Sequence, residues 1–351
     1  MWRSQRWLVV ALLLLAAVPA APAGAETLVW REEFISLDAR RWDHLVSASR
    51  GGNSEFQYYR NSRRNSYVRD GVLYIRPTLT AQDYGEKFLY TGQLSHLDCN
   101  LSPCETYANK DIVLPIQSAR IRTLNSFSFL YGRLEVRAKM PVGDWIWPAI
   151  WMKPARQEYG PWPASGEIDV VELRANRNYT TPAGVSQGAD TTSSVLHFGP
   201  NATYNVWRPA YWAKNLAGIG ETFADDFHLF GMVWNETSIT FTVDDEIIGS
   251  MTPPEGGFWK LGKFDENPGG ENIWANGTNL APFDQEFFIV MNVAVGGKYF
   301  PDGWINFPYP RPWNWTSPHP MRDFWERRHD WLPTWCGEDT AMKVDYIRVY
   351  Q

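Results

Sequence analysis

Where the chain shows a regular pattern of apolar and polar residues, the period is two. From Gly132 to Pro141, Leu134, Val136, Ala138 and Met140 share one face, while Glu135, Arg137 and Lys139 share the other. That alternation predicts a half-buried strand. The run Ser238 to Ile248 alternates in the same way until Asp244-Asp245, where the break predicts a hairpin turn into a second short strand. Glu286 to Val295 and Met342 to Tyr350 are further β-rich runs. Helical periodicity is scarce, and the best candidate is a short segment near Met321 to Trp331. Many short strands separated by Gly, Pro and Asn clusters predict an all-β fold, an antiparallel sandwich of two sheets.

The first residues have a different character. Arg3 and Arg6 precede an apolar run from Trp7 to Val18, and Ala23-Gly24-Ala25 follows, the order of a cleaved secretory signal. The run is too short to span a bilayer comfortably, so residues 1–25 are expected to be a signal peptide and residues 26–351 one exported domain. Losing Arg3 and Arg6 moves the formal charge from −6 to −8. An acidic surface without a basic run disfavours nucleic acid and anionic membrane as partners and suits a neutral one. The three cysteines are too few for a disulfide scaffold. Cys99 and Cys104 can close a small local ring, and Cys336 is expected as a buried thiol. Asn-x-Ser/Thr sequons stand at Asn100, Asn178, Asn201, Asn235, Asn276 and Asn314, in keeping with export.

Candidate chemistry lies in Ser165-Gly-Glu-Ile-Asp-Val-Val-Glu-Leu173. In a regular strand Glu167 and Asp169 share a face and Glu172 points the other way. One extra residue absorbed as a β-bulge around Val170 and Val171 would restore the phase and put all three acids on one side. A solvated strand face mixes its acids with Lys, Thr or Ser, whereas every residue between these acids is Ile or Val. One greasy face and one acidic face is a costly arrangement unless the acids are used. Glu167 and Glu172 leaning together over four strand steps can bring their carboxyls to the roughly 5 to 5.5 Å of a retaining glycosidase. Asp169 between them would make the three titrate as a coupled set.

The aromatic load, 19 Trp, 16 Tyr and 18 Phe, suits a carbohydrate groove, since the C–H faces of sugars stack on flat rings, although most such residues belong to a core. In Trp145-Ile-Trp-Pro-Ala-Ile-Trp151, just ahead of the acids, Trp147 and Trp151 are the candidate groove walls.

Gly132-Arg-Leu-Glu-Val-Arg-Ala-Lys-Met-Pro141, Trp147-Pro-Ala-Ile-Trp151 and Gly166-Glu-Ile-Asp-Val-Val-Glu172 resemble glycoside hydrolase family sixteen, in its laminarinase branch. Leu196-His-Phe-Gly199, Phe227-His-Leu-Phe-Gly231, Asn292-Val-Ala-Val-Gly-Gly297 and Val344-Asp-Tyr-Ile-Arg-Val-Tyr350 look like later signatures of that family in the same order. The resemblance implies a jelly-roll sandwich with a groove on its concave sheet. It implies Glu167 as nucleophile, Asp169 as its helper, Glu172 as acid/base and His197 near the cleavage point. Asn53 and Glu55 would then hydrogen-bond a bound sugar. A structural calcium away from the groove is implied at Asp345, with backbone oxygens near Glu33 and Gly71 as companions. The expected partner is β-1,3-glucan and the expected protein a secreted monomer needing no cofactor for its chemistry.

Three functions compete: a retaining endo-hydrolase of β-1,3-glucan, a protein that senses the same glucan without cutting it, and a hydrolase of mixed-linkage glucan or sulfated galactan. Binding-only relatives commonly lose an acid, and all three are present here. Sulfated substrates call for clustered Arg or Lys, against which the acidic balance argues.

Overall fold

The computed structural model describes residues 26–351 apart from positions 96, 110, 217, 219 and 268, so the expected signal segment lies outside the described residues. Two antiparallel sheets face each other in a jelly-roll sandwich. The eight-stranded sheet runs in the order Glu246–Met251, Ile239–Val243, His228–Trp234, Gly132–Lys139, Met342–Tyr350, Val72–Ile75 and Ser66–Arg69, and Leu28–Glu32 also pairs with Met342–Tyr350. The seven-stranded sheet runs Tyr211–Asn215, Thr191–His197, Glu167–Leu173, Ile146–Pro154, Phe287–Val295, Arg120–Arg122 and Asp43–His44.

The period-two alternation sets which side chains enter the space between the sheets. Leu134, Val136 and Ala138 on one sheet meet Ile150, Met152, Ile289, Met291 and Val293 on the other in one continuous core. Each large apolar side chain fully buried there is worth about 1.5–3 kcal/mol relative to exposure. The expected hairpin forms where Asp244 and Asp245 both adopt positive φ, 51° and 64°, between Val243 and its partner Glu246. Positive φ at both central residues matches the twist of the flanking strands. Asp244 also accepts hydrogen bonds from the Leu229 amide and the His228 ring, which fixes the turn to the neighbouring strand.

A second, aromatic core covers one end of the seven-stranded sheet on its outer side. Phe56, Trp145, Phe300, Trp313, Phe324 and Trp331 pack there against Trp147 and Tyr179. The expected helical segment supplies part of it, as two short helices, Pro320–Glu326 and Arg328–Trp331, with Phe324 stacked on Trp331 at 4.3 Å between centroids. Cys99 and Cys104 are joined in a disulfide. Cys336 departs from expectation: its thiol is exposed, because the 3-10 turn Gly337–Thr340 that follows it runs along the surface.

Candidate active site

The acidic strand is bulged where the sequence pattern requires it. Against the neighbouring strand, Glu172 pairs with Ala149, Val171 with Ile150, Asp169 with Trp151 and Ile168 with Met152, leaving Val170 as the extra residue. Pairing to the other side skips in the same interval, with Glu167 opposite His197, Asp169 opposite Val195 and Glu172 opposite Ser193. Ile168, Val170, Val171 and Leu173 all join the core between the sheets. Two consecutive valines therefore turn inward, and Glu167, Asp169 and Glu172 all turn to the outer face.

Neighbouring strands fill in that face by the same alternation. Trp147 and Trp151 come from Ile146–Pro154, Asn292 from Phe287–Val295, Arg120 from Arg120–Arg122, and Ser193 and His197 from Thr191–His197. Trp147 is buried, donates its indole N–H to Glu172 Oε1 at 3.0 Å, and has Tyr299 stacked flat on it with centroids 4.1 Å apart. The guanidinium of Arg174 lies 3.9 Å over the outer face of Tyr299, donates to the Tyr299 carbonyl, and sits 4.6 Å from the Trp304 ring. Trp151 donates to Asn292 Oδ1 at 2.8 Å and is covered by the Arg120 guanidinium at 4.4 Å. Both candidate groove walls thus form the floor of the site, each with one face already occupied. The exposed ring is Trp162, whose centroid lies 6.1 Å from that of His197.

His197 Nε2 approaches Asp169 Oδ2 to 3.3 Å, and the carboxamide of Asn205 faces Nδ1 with Nδ2 at 2.9 Å and Oδ1 at 3.3 Å. Such an amide serves either charge state of the ring. Burial works against a charge on His197, but contact with Asp169 and the negative potential of Glu167 and Glu172 overcome it and lift its pKa to about 9. Burial raises Glu167 to about 7 with help from the charge of Asp169, opposed by His197, Lys153 and Arg120. Glu172 is raised further, to about 8, by burial, Asp169 and Glu167, against the charge of His197 and the Trp147 hydrogen bond. The two glutamates titrate as a pair, with Glu172 the stronger holder of a proton. One carboxyl kept protonated beside one that ionises more readily is the division that acid–nucleophile chemistry requires.

Among the described residues, Glu167, Asp169 and His197 are the group whose ligand atoms, all within 4.8 Å of one another, lie close enough to hold a metal ion. The raised pKa of His197 favours positive charge at that point.

Asn53 and Glu55 lie in a loop packed on Gly297, and the Asn53 carbonyl accepts from the Lys298 amide at 2.7 Å. Glu55 is buried and accepts from Gln57 and Tyr59, and burial raises its pKa against the pull of Arg120. Arg120 is half-buried and acts on both Glu55 and Glu167, which ties that loop to the acidic strand. Asp345, the extra residue of a bulge opposite Arg137 and Ala138, binds Arg137 at 2.5 Å, and Glu33 binds Arg348 at 3.0 Å. Gly71 turns at φ 76° beside Asp70. The donor set fits a hard cation only in part, since the one carboxylate is already charge-paired.

Pattern reading did not find Tyr299, Arg174, Arg120, Asn205 or Trp162. Trp162 alone carried a signal, in the Pro-Trp-Pro run ahead of the acids.

Residues 95–260 match the profile of glycosyl hydrolases family 16. The chain is 42% identical to a beta-1,3-glucan-binding protein of Penaeus monodon over 92% of this chain and 90% of that protein. It is 32% identical to a glucan endo-1,3-beta-glucosidase of Niallia circulans, over 95% of this chain and 39% of the other. It spans 56% to 64% of the length of other beta-1,3-glucan-binding proteins that it matches. The laminarinase of Rhodothermus marinus superposes with a TM-score of 0.59 at 27% identity, covering 93% of this chain and 97% of that one. With its fold, its ordered motifs and these likenesses, the chain belongs to glycosyl hydrolase family 16.

Proposed function

We propose that this protein is a secreted, retaining endo-hydrolase of β-1,3-glucan. Glu167 attacks the anomeric carbon and Glu172 protonates the departing oxygen. Glu172 then takes a proton from the water that releases the covalent glycosyl intermediate. Asp169 and His197 position Glu167 and set its charge, and Trp147 orients Glu172. The observation that carries this reading is the Val170 bulge, which presents three acids on one face beside the His197 ring. The endo-glucosidase relative and the laminarinase likeness support hydrolysis. Incubation with laminarin, mixed-linkage glucan and agarose, read as reducing ends, tests the proposal. The expected result is new ends from laminarin, first formed in the β configuration by NMR, and an inverted product would remove Glu167 from the nucleophile's role.

The second reading, glucan recognition without cleavage, is favoured by the name of the relative from Penaeus monodon. It predicts laminarin binding with no reducing ends at any pH. We also propose that the protein works as a monomer and that Asp345 takes part in a calcium site once Arg137 is displaced. Added calcium would then raise the melting temperature of the wild type and leave Asp345→Ala unchanged.

A further inference from the structure

The short ribbon formed by Tyr179–Thr180 and Ile305–Asn306 has an unusual division of faces. Its register pairs Tyr179 with Asn306 and Thr180 with Ile305, and the Phe307 amide donates to the Asn178 carbonyl at 3.0 Å. Tyr179 and Asn306 turn inward, at 0% and 5% exposure, where Asn306 is hydrogen-bonded to Asn176 and Asp144. By alternation, Asn178, Thr180, Ile305 and Phe307 turn outward together. Ile305 is 54% and Phe307 70% exposed. Large apolar side chains left bare on a two-stranded ribbon invite association.

Asn178 and Thr180 are the two functional positions of an Asn-x-Thr sequon. Asn178 is exposed, and among the described residues its carboxamide has no hydrogen-bond partner within the protein. The other sequons are built differently. Asn100 is bonded through both ends of its amide, to the Val46 amide and the His44 carbonyl. Asn201, Asn235 and Asn314 each accept from the residue two positions on, closing a local turn. Asn276 is also exposed, with no large apolar side chain paired across from it in a strand. Among these sequons, Asn178 is the one whose next partner in ribbon register is aromatic, Phe307, and residues opposed across antiparallel strands lie about 5 Å apart. An open pocket of about 370 Å³ adjoins the ribbon, lined by both sequon residues, Ile305 and Phe307, with Arg177 and Glu221 as polar walls.

We propose that Asn178 carries an N-linked glycan whose first N-acetylglucosamine packs its apolar face on Phe307 and Ile305, so that the sugar completes this surface. In the transfer, the Asn178 amide nitrogen bonds to C1 of the sugar and loses a proton. The C1–O bond to a lipid-linked diphosphate carrier breaks, and the lipid diphosphate leaves. The inference rests on the secretory reading and not on hydrolysis.

The test is expression of the full chain in a eukaryotic secretory host, with peptide mass spectrometry of the secreted protein. Asn178 is expected to be occupied in most molecules. Asn178→Gln and, independently, Thr180→Ala should each lower the melting temperature by about 2 °C and raise binding of a hydrophobic dye. Trimming to a single N-acetylglucosamine should leave both values at the wild-type level. In a Phe307→Ser background, loss of the sequon should change neither. Secreted protein unmodified at Asn178 would overturn the proposal, as would identical melting and dye binding with and without the sugar. Laminarin binding by Asn178→Gln that disappears in Asn178→Gln/Phe307→Ser would show the ribbon to be a glucan seat instead, and would likewise overturn it. Failure of glucan cleavage would leave all these readouts in place.

Discussion

The indole N–H of Trp147 points at Glu172 Oε1 from 3.0 Å. A donor so placed favours the carboxylate over the acid and opposes the burial and neighbouring charge that raise the pKa of Glu172. Replacing Trp147 with Phe keeps the ring and removes the donor. Under the hydrolase reading, the wild type should show a bell-shaped pH profile of kcat/KM, rising as Glu167 loses its proton and falling as Glu172 does. In Trp147→Phe the alkaline limb should move to higher pH while the acidic limb stays. An unmoved alkaline limb would mean that another group, not Glu172, is the acid.

Glu167→Gln and Glu172→Gln should each reduce laminarin cleavage by roughly 10²-fold or more with laminarin affinity kept. Each also removes one of three mutually repelling acids, of which Asp169 and Glu172 are buried and Glu167 half-buried, so the melting temperature at pH 8 should equal or exceed that of the wild type. Activity assays and thermal denaturation on the same preparations check both halves. Near wild-type turnover in either variant would remove that residue from the chemistry.

His197 makes a stability prediction with a definite sign. Its folded pKa is raised above the ordinary 6.5, to about 9, so its contribution is fully present below pH 6.5 and fades as pH rises through 9. Urea midpoints of wild type and His197→Gln should differ most near pH 6 and converge above pH 9. The raised glutamates act in the same direction, since the protonated forms favoured by folding are lost as pH climbs through about 7 and 8. Proton NMR of the His197 ring reads the titration directly.

Tyr299 and Arg174 are positioning residues behind Trp147. Tyr299→Leu removes the flat contact on the indole, and Arg174→Leu removes the cation above Tyr299. Each is expected to cost about 1 kcal/mol of stability. Because small displacements of a reacting group cost rate steeply, kcat should fall by about 10-fold with KM little changed. A fall confined to KM would assign the stack to sugar binding.

The sequence carried the acidic strand well because its constraint is local. Ile168, Val170, Val171 and Leu173 can all be core only if one residue is supernumerary, and the spacing of Glu167, Asp169 and Glu172 says the same from the opposite face. The Asp244-Asp245 hairpin was legible for a like reason, its chemistry being contained in two adjacent residues. The surroundings of the site were not. Arg174, Tyr299 and Trp304 meet only after the chain has folded, and nothing in their spacing announces a four-layer stack with Trp147. Trp147 and Trp151 share the outer face with the acids, but the covering of one face of each ring depends on Tyr299 and Arg120, which arrive from distant parts of the chain. The exposed Cys336 shows the same limit, since solvent access is decided by the turn that follows it.

The doubled valine lets the two sides of one strand change independently. Toward the interior it offers an unbroken hydrocarbon wall, and toward solvent a set of carboxyls on which that wall does not depend. Exchanging those carboxyls for amides is expected to leave the inward packing of Ile168, Val170, Val171 and Leu173 in place. Under the hydrolase reading, a single exchange at Glu167 or Glu172 would therefore end cleavage while the apolar side of the strand keeps its packing.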